Sequence, residues 1–308
     1  MAKNVIYSLY EKDYHQGIGA LINSAIRAGF RGRFVIGYRD DLPPWLQQFQ
    51  KSGDRTWSVA ECELEFCHVN PAMHLGYYKP IFGRELAQKF PEAERFLYFD
   101  PDIVLIAPWE FFEAWISPKH GPCVCGDVNF SSLSSLHPWR NEWQALAQKS
   151  GLEARRSDNF YPNSGFIGVS CSHAKQFFAA WSSITEAFAA NGGSTKSFLM
   201  EERWRAVVSD QDLLAATLQA WEGPISALGP EGMGFHGDFK FLCHAVEKPK
   251  PWQKCYAIEA IKGNAPSQAL KHWLKFSGGP IEFSPKLRRR TSGIDLKLAT
   301  LISRFWRR

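Results

Sequence analysis

Short apolar runs alternate with longer amphipathic segments through the first third of the chain. Apolar positions three and four residues apart indicate a helix, whereas short continuous apolar runs indicate buried strands. Strands are predicted at 4–9, 33–38 and 56–60. Helices are predicted at 18–28, 42–51 and 74–90. This alternation is typical of a parallel sheet with helices on its faces, so we predict an α/β fold.

One apolar run, 96–99, ends on two carboxylates, Asp100 and Asp102. It has the composition of a strand that is buried on both faces. In extended chain, residues i and i+2 point to the same side, which predicts that both carboxylates face one volume at the carboxyl edge of the sheet. A divalent cation would relieve their repulsion. The alternative is a pair of turn carboxylates that cap the following segment.

A second Asp-x-Asp, Asp210-Gln211-Asp212, differs in placement because it opens an apparent helix behind Ser209, a good N-cap residue. The rest of the chain continues the α/β pattern, with an irregular Gly-, Pro- and His-rich stretch at 223–252. The remaining strands are predicted at 121–125 and 166–169. The remaining helices are predicted at 109–115, 139–149, 173–190 and 209–219. Loops or turns are predicted at 127–138 and 159–165.

Composition limits the class of protein. The chain has 308 residues, of which 45% are hydrophobic and 22% charged, with a net charge of +5. These values indicate a globular protein, and we predict one domain over 1–280 followed by a basic tail over 281–308. The seven cysteines are odd in number and lack zinc spacing. Without a signal peptide or an apolar run long enough to span a bilayer, the chain is expected to be cytoplasmic.

The segment 244–252, His-Ala-Val-Glu-Lys-Pro-Lys-Pro-Trp, carries further candidate chemistry. An imidazole such as that of His244 suits Mn²⁺ better than Mg²⁺, which prefers oxygen ligands. Lys250 offers a compact cation to phosphate oxygens. Taken alone, His244 is more often a structural histidine than a metal ligand.

Four motifs together resemble glycosyltransferase family 8. They are the strand ending in Asp100-x-Asp102, Asn163-Ser-Gly165, Asp210-Gln-Asp212, and His244 followed six residues later by Lys-Pro-Trp, in the family's order over residues 4–252. The resemblance implies a GT-A fold, with a Rossmann-like mixed, mainly parallel sheet. It also implies transfer of a hexose from a UDP-sugar, retention of configuration, and Mn²⁺ as cofactor, with Mg²⁺ as the alternative.

The resemblance assigns roles residue by residue. It implies that Asp100, Asp102 and His244 bind the metal and that Asp210 and Gln211 lie beneath the anomeric carbon. The expected donor-binding residues are Tyr14, Lys79, Asn163, Gly165, Lys250 and Trp252. Among these, Tyr14 would stack on uracil, Lys250 would contact the diphosphate, and Trp252 would pack behind it. For Asp210 and Gln211, helix N-terminal capping is the alternative role.

Three positions depart from the family pattern. The family's Ala-x-Asp after the first strand is Ser8-Leu-Tyr10 here, and a family glycine is Glu247. The expected arginine before the Asp-x-Asp strand is out of register, so Lys79 or Arg84 must replace it. These departures bear on the nucleobase more than on the type of reaction.

The tail combines an apolar helical stripe with many basic residues. The stripe contains Ile294, Leu298, Leu301 and Phe305, with Leu287 upstream. Basic residues beside Phe305 and Trp306 favour docking on an anionic membrane, on the inner face of the cell membrane. A solvated helix end or a basic arm for nucleic acid are the alternatives; we expect no nucleic-acid partner. The basic residues are Lys286, Arg288, Arg289, Arg290, Lys297, Arg304, Arg307 and Arg308.

The resulting expectation is a metal-dependent hexosyltransferase that acts on a glycan or a lipid-linked acceptor. A nucleotidyltransferase that makes sugar nucleotides is one alternative, although the stretch 12–19 is a poor phosphate-binding loop. A carbohydrate-binding or sugar-nucleotide-binding protein without catalysis is the other. Donor sugar, acceptor and linkage are left open.

Overall fold

The computed structural model describes residues 3–130, 132–155, 158–236 and 240–305. The strands are β1 (Asn4–Tyr10), β2 (Arg33–Tyr38), β3 (Thr56–Val59), β4 (Cys62–His68), β5 (Arg95–Phe99), β6 (Ile103–Leu105), β7 (Cys123–Gly126), β8 (Pro162–Ser170), β9 (Ser226–Leu228) and β10 (Leu242–His244). The helices are α1 (His15–Ala28), α2 (Leu75–Lys89), α3 (Trp109–Trp115), α4 (Pro138–Lys149), α5 (Cys171–Ala190), α6 (Asp210–Ala220), α7 (Tyr256–Ile261), α8 (Gln268–Lys275) and α9 (Lys286–Phe305). Short 3-10 helices cover Lys12–Tyr14, Pro44–Gln48 and Pro230–Met233.

Eight of the strands form one sheet in the order β3-β4-β2-β1-β5-β8-β7-β9. Neighbours pair in parallel across β4-β2-β1-β5 and again between β7 and β9. The pairs β3-β4, β5-β8 and β8-β7 are antiparallel. The predicted α/β fold, with a mixed and mostly parallel sheet flanked by helices, is confirmed.

The two faces of the sheet carry separate hydrophobic cores, because side chains alternate along each strand. Val5, Tyr7 and Leu9 of β1 pack with α2, α4, α5 and α6 on one face. Ile6 and Tyr10 pack with α1 and α3 on the other. Helices on both faces explain why β1 and β5 are apolar along nearly their whole length.

The third parallel strand lies later in the chain than predicted. Residues 56–59 form β3, which pairs antiparallel at the edge, and β4 is the strand that lies beside β2 in parallel. In β4 glutamates alternate with buried apolar residues, since this strand keeps one face partly open to solvent. The segment 42–51 forms a 3-10 helix over Pro44–Gln48.

Two stretches expected to be irregular contain regular structure. The turn predicted at 159–165 gives way at Pro162 to β8, which pairs with β5 and β7. The segment 223–252 contains β9, a 3-10 helix and β10. Local propensity missed both: Pro, Asn and Gly open β8, and β9 and β10 are only three residues long, so these strands depend on tertiary pairing rather than on local preference.

The predicted C-terminal helix is present as α9, which packs against α7 and α8. The tail residues Trp306, Arg307 and Arg308 lie outside the described residues. No helix within the described ranges is long and apolar enough to cross a membrane.

Candidate functional site

A cleft of about 400 Å³ opens at the carboxyl ends of β1 and β5. From β1 the chain builds β2 and β4 on one side and then crosses to β5 on the other. The point where strand order reverses in this way is where open α/β sheets bind ligands. The volume falls in the usual range for small-molecule sites, about 300–1,000 Å³.

Asp100, Asp102 and His244 meet in this cleft, and their candidate ligand atoms all lie within 4.8 Å of one another. Imidazole Nε2 is 3.1 Å from Asp102 Oδ1 and 3.8 Å from Asp100 Oδ2. The antiparallel pairing of β10 with β6 sets His244 opposite Ile103, and the Ala245 amide donates to the Asp102 carbonyl at 3.0 Å. The pairing therefore brings His244 beside a carboxylate that precedes it by more than a hundred residues.

The predicted convergence of Asp100 and Asp102 is confirmed, but the expected extended backbone is wrong. The amide of Ile103 donates to the Asp100 carbonyl at 3.1 Å, which closes a tight turn over Asp100–Pro101–Asp102. Pro101 suits the second position of such a turn because its φ is fixed. A turn, rather than the two-residue alternation of a strand, directs the carboxylates to the same volume.

Each carboxylate is anchored through one oxygen, which leaves the other directed at His244. Lys250 Nζ lies 2.6 Å from Asp102 Oδ2. Lys79 Nζ lies 3.0 Å from Asp100 Oδ1, and the Tyr98 hydroxyl donates to that same oxygen at 2.6 Å. Partners of this kind fix the orientation of metal ligands. Asp102 Oδ1 and Asp100 Oδ2 are consequently held on the inner side of the group.

The electrostatics of the group follow from burial and close pairing. Burial alone raises the pKa of Asp102, but His244 and Lys250 outweigh it and hold that pKa well below its ordinary value. Burial lowers the pKa of Lys79, yet Asp100 and Asp210 outweigh it, so the net shift of that pKa is upward. Asp102 and Lys79 are accordingly charged at neutral pH.

The three side chains fit a divalent cation. Metal–ligand bonds of about 2.0–2.2 Å place neighbouring ligand atoms roughly 3 Å apart. The 3.1 Å from His244 Nε2 to Asp102 Oδ1 matches this, and the 3.8 Å to Asp100 Oδ2 is somewhat wider. The fit depends on Gly165, because a Cβ there would stand 2.6 Å from His244 Cε1 and 2.9 Å from its Nδ1. The missing side chain at Gly165 makes room for the imidazole. The buried Asp100, Asp102 and His244 group could therefore hold a metal.

Asp210 and Gln211 lie in the same cleft at the start of α6. Asp210 Oδ2 is 2.8 Å from Lys79 Nζ, and Gln211 Oε1 accepts from the Ser164 amide at 3.4 Å. Capping of the helix is performed by Asp212, whose Oδ2 accepts from the amides of Val208 and Ser209, both at 2.9 Å. The side chains of Asp210 and Gln211 are thus directed to cleft partners rather than to the cap.

Sequence reasoning missed Asp127, which is buried and lines the cleft. Its Oδ2 accepts from Gln211 Nε2 at 3.0 Å and from Asn163 Nδ2 at 3.3 Å. The residue directly follows β7, so it occupies a strand end as Asp100 does. That placement was the available signal, but the Ser-rich sequence after it indicated only a loop.

Of the expected donor-binding residues, Tyr14, Lys79, Asn163 and Lys250 line the cleft. Tyr14 meets the Trp252 ring edge-on at 5.1 Å, and burial together with Asp102 and other nearby carboxylates raises the pKa of its hydroxyl to about 12. Trp252 lies behind the cleft wall and donates from Nε1 to Asp13 Oδ2 at 2.9 Å.

Of the two α2 residues considered as replacements for the expected arginine, Lys79 lines the cleft and Arg84 is not part of its lining. The Lys79 ammonium is buried between Asp100 and Asp210. Arg84 instead contacts Glu186 at 3.6 Å, and both of those side chains are partly exposed.

The cleft is acidic overall. Five carboxylates and three cationic side chains line it, a formal charge of −2 with histidines neutral. A phosphate-bearing ligand would be repelled until a divalent cation balanced this charge. The carboxylates are Glu11, Asp100, Asp102, Asp127 and Asp210; the cations are Lys79, Arg203 and Lys250.

Comparison with known proteins assigns the chain to no family. No protein-family model matches the chain, and no curated protein matches it at a significant level. The resemblance to glycosyltransferase family 8 therefore rests on the four motifs and their order.

Proposed function

We propose that this protein is a metal-dependent glycosyltransferase of the GT-A type, which moves a hexose from a UDP-sugar to a glycan or lipid-linked acceptor. One observation carries the proposal. Nine of the eleven residues to which the resemblance assigns a role, drawn from stretches between residues 14 and 250, line a single cleft at the switch point of the sheet. The other two, Gly165 and Trp252, pack directly against cleft residues.

The metal we propose is Mn²⁺, with Mg²⁺ as the alternative. Two carboxylates and an imidazole form a mixed oxygen and nitrogen donor set, which Mn²⁺ accepts more readily than Mg²⁺ does. When bound, the cation would supply positive charge against the negative charge that develops on the diphosphate leaving group.

The chain's own residues supply the remaining groups of the proposed mechanism. Lys79 and Lys250 are each paired with a metal-binding carboxylate and would hold those carboxylates in a preorganised position, so that the bound cation faces the leaving phosphate. Asp210 and Gln211 present oxygens to the cleft that would stabilise an oxocarbenium-like sugar. Asp127 and the Ser164 amide hold the Gln211 side chain at both ends of its amide.

We propose retention of anomeric configuration. The side chains of Gln211 and Asn163 both donate hydrogen bonds to the Asp127 carboxylate. They would contact the face of the sugar opposite the acceptor. Early-time NMR of the product should show an α-linkage from an α-configured donor. A β-linkage would contradict the assignment of Gln211 and Asp210.

The end of the cleft nearest β1 is the candidate nucleobase side. Tyr10 occupies the position of the family's base-reading aspartate, but its hydroxyl donates to the Asp41 carbonyl at 2.7 Å. Glu11, the next residue, lines the cleft and pairs with Arg39 at 2.7 Å. We propose that Glu11, with Tyr14 as the stacking ring, contacts the base.

The nucleotidyltransferase alternative is less well supported, because the glycines of the 12–19 stretch are accounted for by packing. A Cβ at Gly17 would stand 2.1 Å from the Pro101 carbonyl oxygen. A Cβ at Gly19 would stand 2.3 Å from the Phe283 ring. These glycines permit α1 to approach the Asp-Pro-Asp turn and the C-terminal region, which leaves no need for a phosphate to explain them.

The deciding experiment is release of UDP from a panel of UDP-hexoses and their N-acetyl forms, with Mn²⁺ or with a chelator. We expect metal-dependent release from at least one donor, and none from Asp102→Asn. Pyrophosphate formed from UTP and a sugar 1-phosphate would favour the nucleotidyltransferase. Tight binding of a UDP-sugar without turnover, in the presence of acceptors, would favour the non-catalytic binding protein.

A further inference from the structure

Helix α9 has two apolar faces, of which one is docked on the protein. Ala299 is buried and clusters with Tyr256, Ala260 and Leu270, while Leu296 and Ile302 pack against the same group. Asp295 accepts a hydrogen bond from the Ala257 amide at 3.0 Å and from the Tyr256 amide at 2.5 Å. The helix is therefore a fixed part of the fold, and its orientation is set by these contacts.

The second apolar face of α9 has no cover among the described residues. We call this second face the outer face. Its five side chains project within an arc of roughly 60° around the helix axis, counting 100° per residue. These side chains are between 50% and 81% exposed, far more than the docked face. Ile258 and Ile261 of α7, the helix that packs against α9, are also exposed. The outer face consists of Leu287, Ile294, Leu298, Leu301 and Phe305.

A row of basic residues borders the outer face. Arg290, Lys297 and Arg304 recur every seven residues and so lie on one flank of the stripe. Within the described ranges none of the three forms an ion pair. The single acidic residue of α9, Asp295, points to the docked face. The outer side of the helix thus presents apolar and positive groups without an opposing carboxylate of its own.

We infer that the outer face of α9 docks the protein on the surface of an anionic lipid bilayer. Apolar side chains would enter the boundary between headgroups and acyl chains, and the basic row would lie against lipid phosphates. We choose a membrane over a second copy of this chain because of charge complementarity. An anionic bilayer would attract the basic row, whereas two copies joined through this face would place their basic rows against each other.

The docked helix is linked to the catalytic cleft. Arg288 donates to the Trp252 carbonyl at 2.7 Å, and Trp252 follows Lys250 by two residues. The helix is thereby joined to the loop that carries a cleft lysine. Membrane docking would bring the proposed transferase to lipid-linked acceptors, but the docking inference does not depend on the proposed activity.

The test uses the full-length protein in flotation assays with phosphatidylcholine vesicles, with or without phosphatidylglycerol. We expect binding only to the anionic vesicles, and much weaker binding at about 1 M salt, where the Debye length falls to about 3 Å. Lys297→Glu with Arg304→Glu should lower the partition coefficient at least roughly tenfold. Leu298→Asp with Leu301→Asp should also abolish binding.

The matched control is Lys149→Glu with Lys175→Glu, which makes the same change in net charge at exposed positions of α4 and α5. This control should bind as the wild type does. Equal loss in the control would mean that net charge alone drives binding and would overturn the assignment to α9. Undiminished binding of both α9 variants would also overturn it.

Two further measurements separate a specific failure from a general one. Circular dichroism and thermal unfolding should be unchanged in the α9 variants, since the altered side chains are exposed. Sedimentation velocity should show only monomer at all concentrations. If the wild type instead forms a dimer, and the double substitution Leu298→Asp with Leu301→Asp dissociates it, the outer face would be assigned to self-association. Vesicle binding requires no donor sugar, so its outcome is independent of whether the proposed transferase activity is found.

Discussion

Gly165→Ala should impair metal binding while leaving the fold in place. The added Cβ would stand 2.6 Å from His244 Cε1, whereas carbon atoms in contact prefer about 3.5–4.0 Å. The imidazole would have to move by about 1 Å, yet metal–ligand distances tolerate only about 0.2 Å. If β8 moved instead, it would displace Asp100, because the Gly165 carbonyl accepts from the Asp100 amide at 2.7 Å.

The expected magnitude combines two effects. Overpacking a buried site by one methyl group costs about 1–3 kcal/mol of stability. Disturbing a group that positions a metal ligand typically lowers metal affinity about 10- to 100-fold. We therefore expect a modest fall in melting temperature and a much larger fall in Mn²⁺ affinity, measured by calorimetry or by the electron paramagnetic resonance signal of free Mn²⁺.

Gly168→Ala provides the matched control on the same strand. Its Cβ would stand 2.4 Å from Ile116 Cδ1, in the core and away from the metal group. This variant should lose comparable stability but bind Mn²⁺ as the wild type does. Wild-type Mn²⁺ affinity in Gly165→Ala would refute the assignment of His244 as a ligand, and equal loss in both variants would mean that general destabilisation explains the effect.

Three other predictions test separate parts of the molecule. Asp127→Asn should lower turnover at least roughly tenfold without changing Mn²⁺ affinity, because both carboxylate oxygens accept hydrogen bonds and an amide offers only one acceptor oxygen, while Asp127 contacts no metal ligand; a tenfold loss of metal affinity would contradict this. Lys79→Met should lower the free energy of unfolding, measured with urea, by about 3–5 kcal/mol, because it leaves buried carboxylates unpaired. Adding Asp210→Asn to the same chain should recover part of that loss. Strictly additive effects of the two substitutions would argue against the buried ion pair. In the native protein a thiol reagent at pH 8 should modify the two exposed cysteines quickly and Cys67 slowly, because burial and Glu65 raise the pKa of Cys67 to about 11; rapid modification of Cys123 or Cys125 would contradict the described burial of β7.

The sequence was informative where local pattern and tertiary position agree. The apolar run before Asp100 predicted a buried strand, and β5 occupies it. Asp210 was correctly placed at a helix start because Ser209 and Asp212 form a local capping arrangement. These features depend on residues within a few positions of one another, so they can be inferred without knowing the rest of the chain.

Features set by distant pairing could not be inferred in the same way. Val124 of β7 pairs with Ile167, but its neighbour Cys125 pairs with Asn163, which leaves an irregular stretch at residues 164–166. This irregularity brings the Ser164 amide to Gln211, and nothing in the local sequence signals it. Asp127 was overlooked for a similar reason, since its partners Asn163 and Gln211 are 36 and 84 residues away.

The charge distribution of the cleft implies an order of binding. Lys79 and Lys250 are already paired with the carboxylates that would hold the metal, so neither is an unopposed cation toward a diphosphate. The cleft keeps a formal charge of −2, and a UDP-sugar brings two further negative charges. A divalent cation held by Asp100, Asp102 and His244 would balance this charge. Under the proposed function donor binding would therefore require the metal to be present already or to arrive with the donor, and the two lysines would act by holding the outer oxygens of the metal ligands.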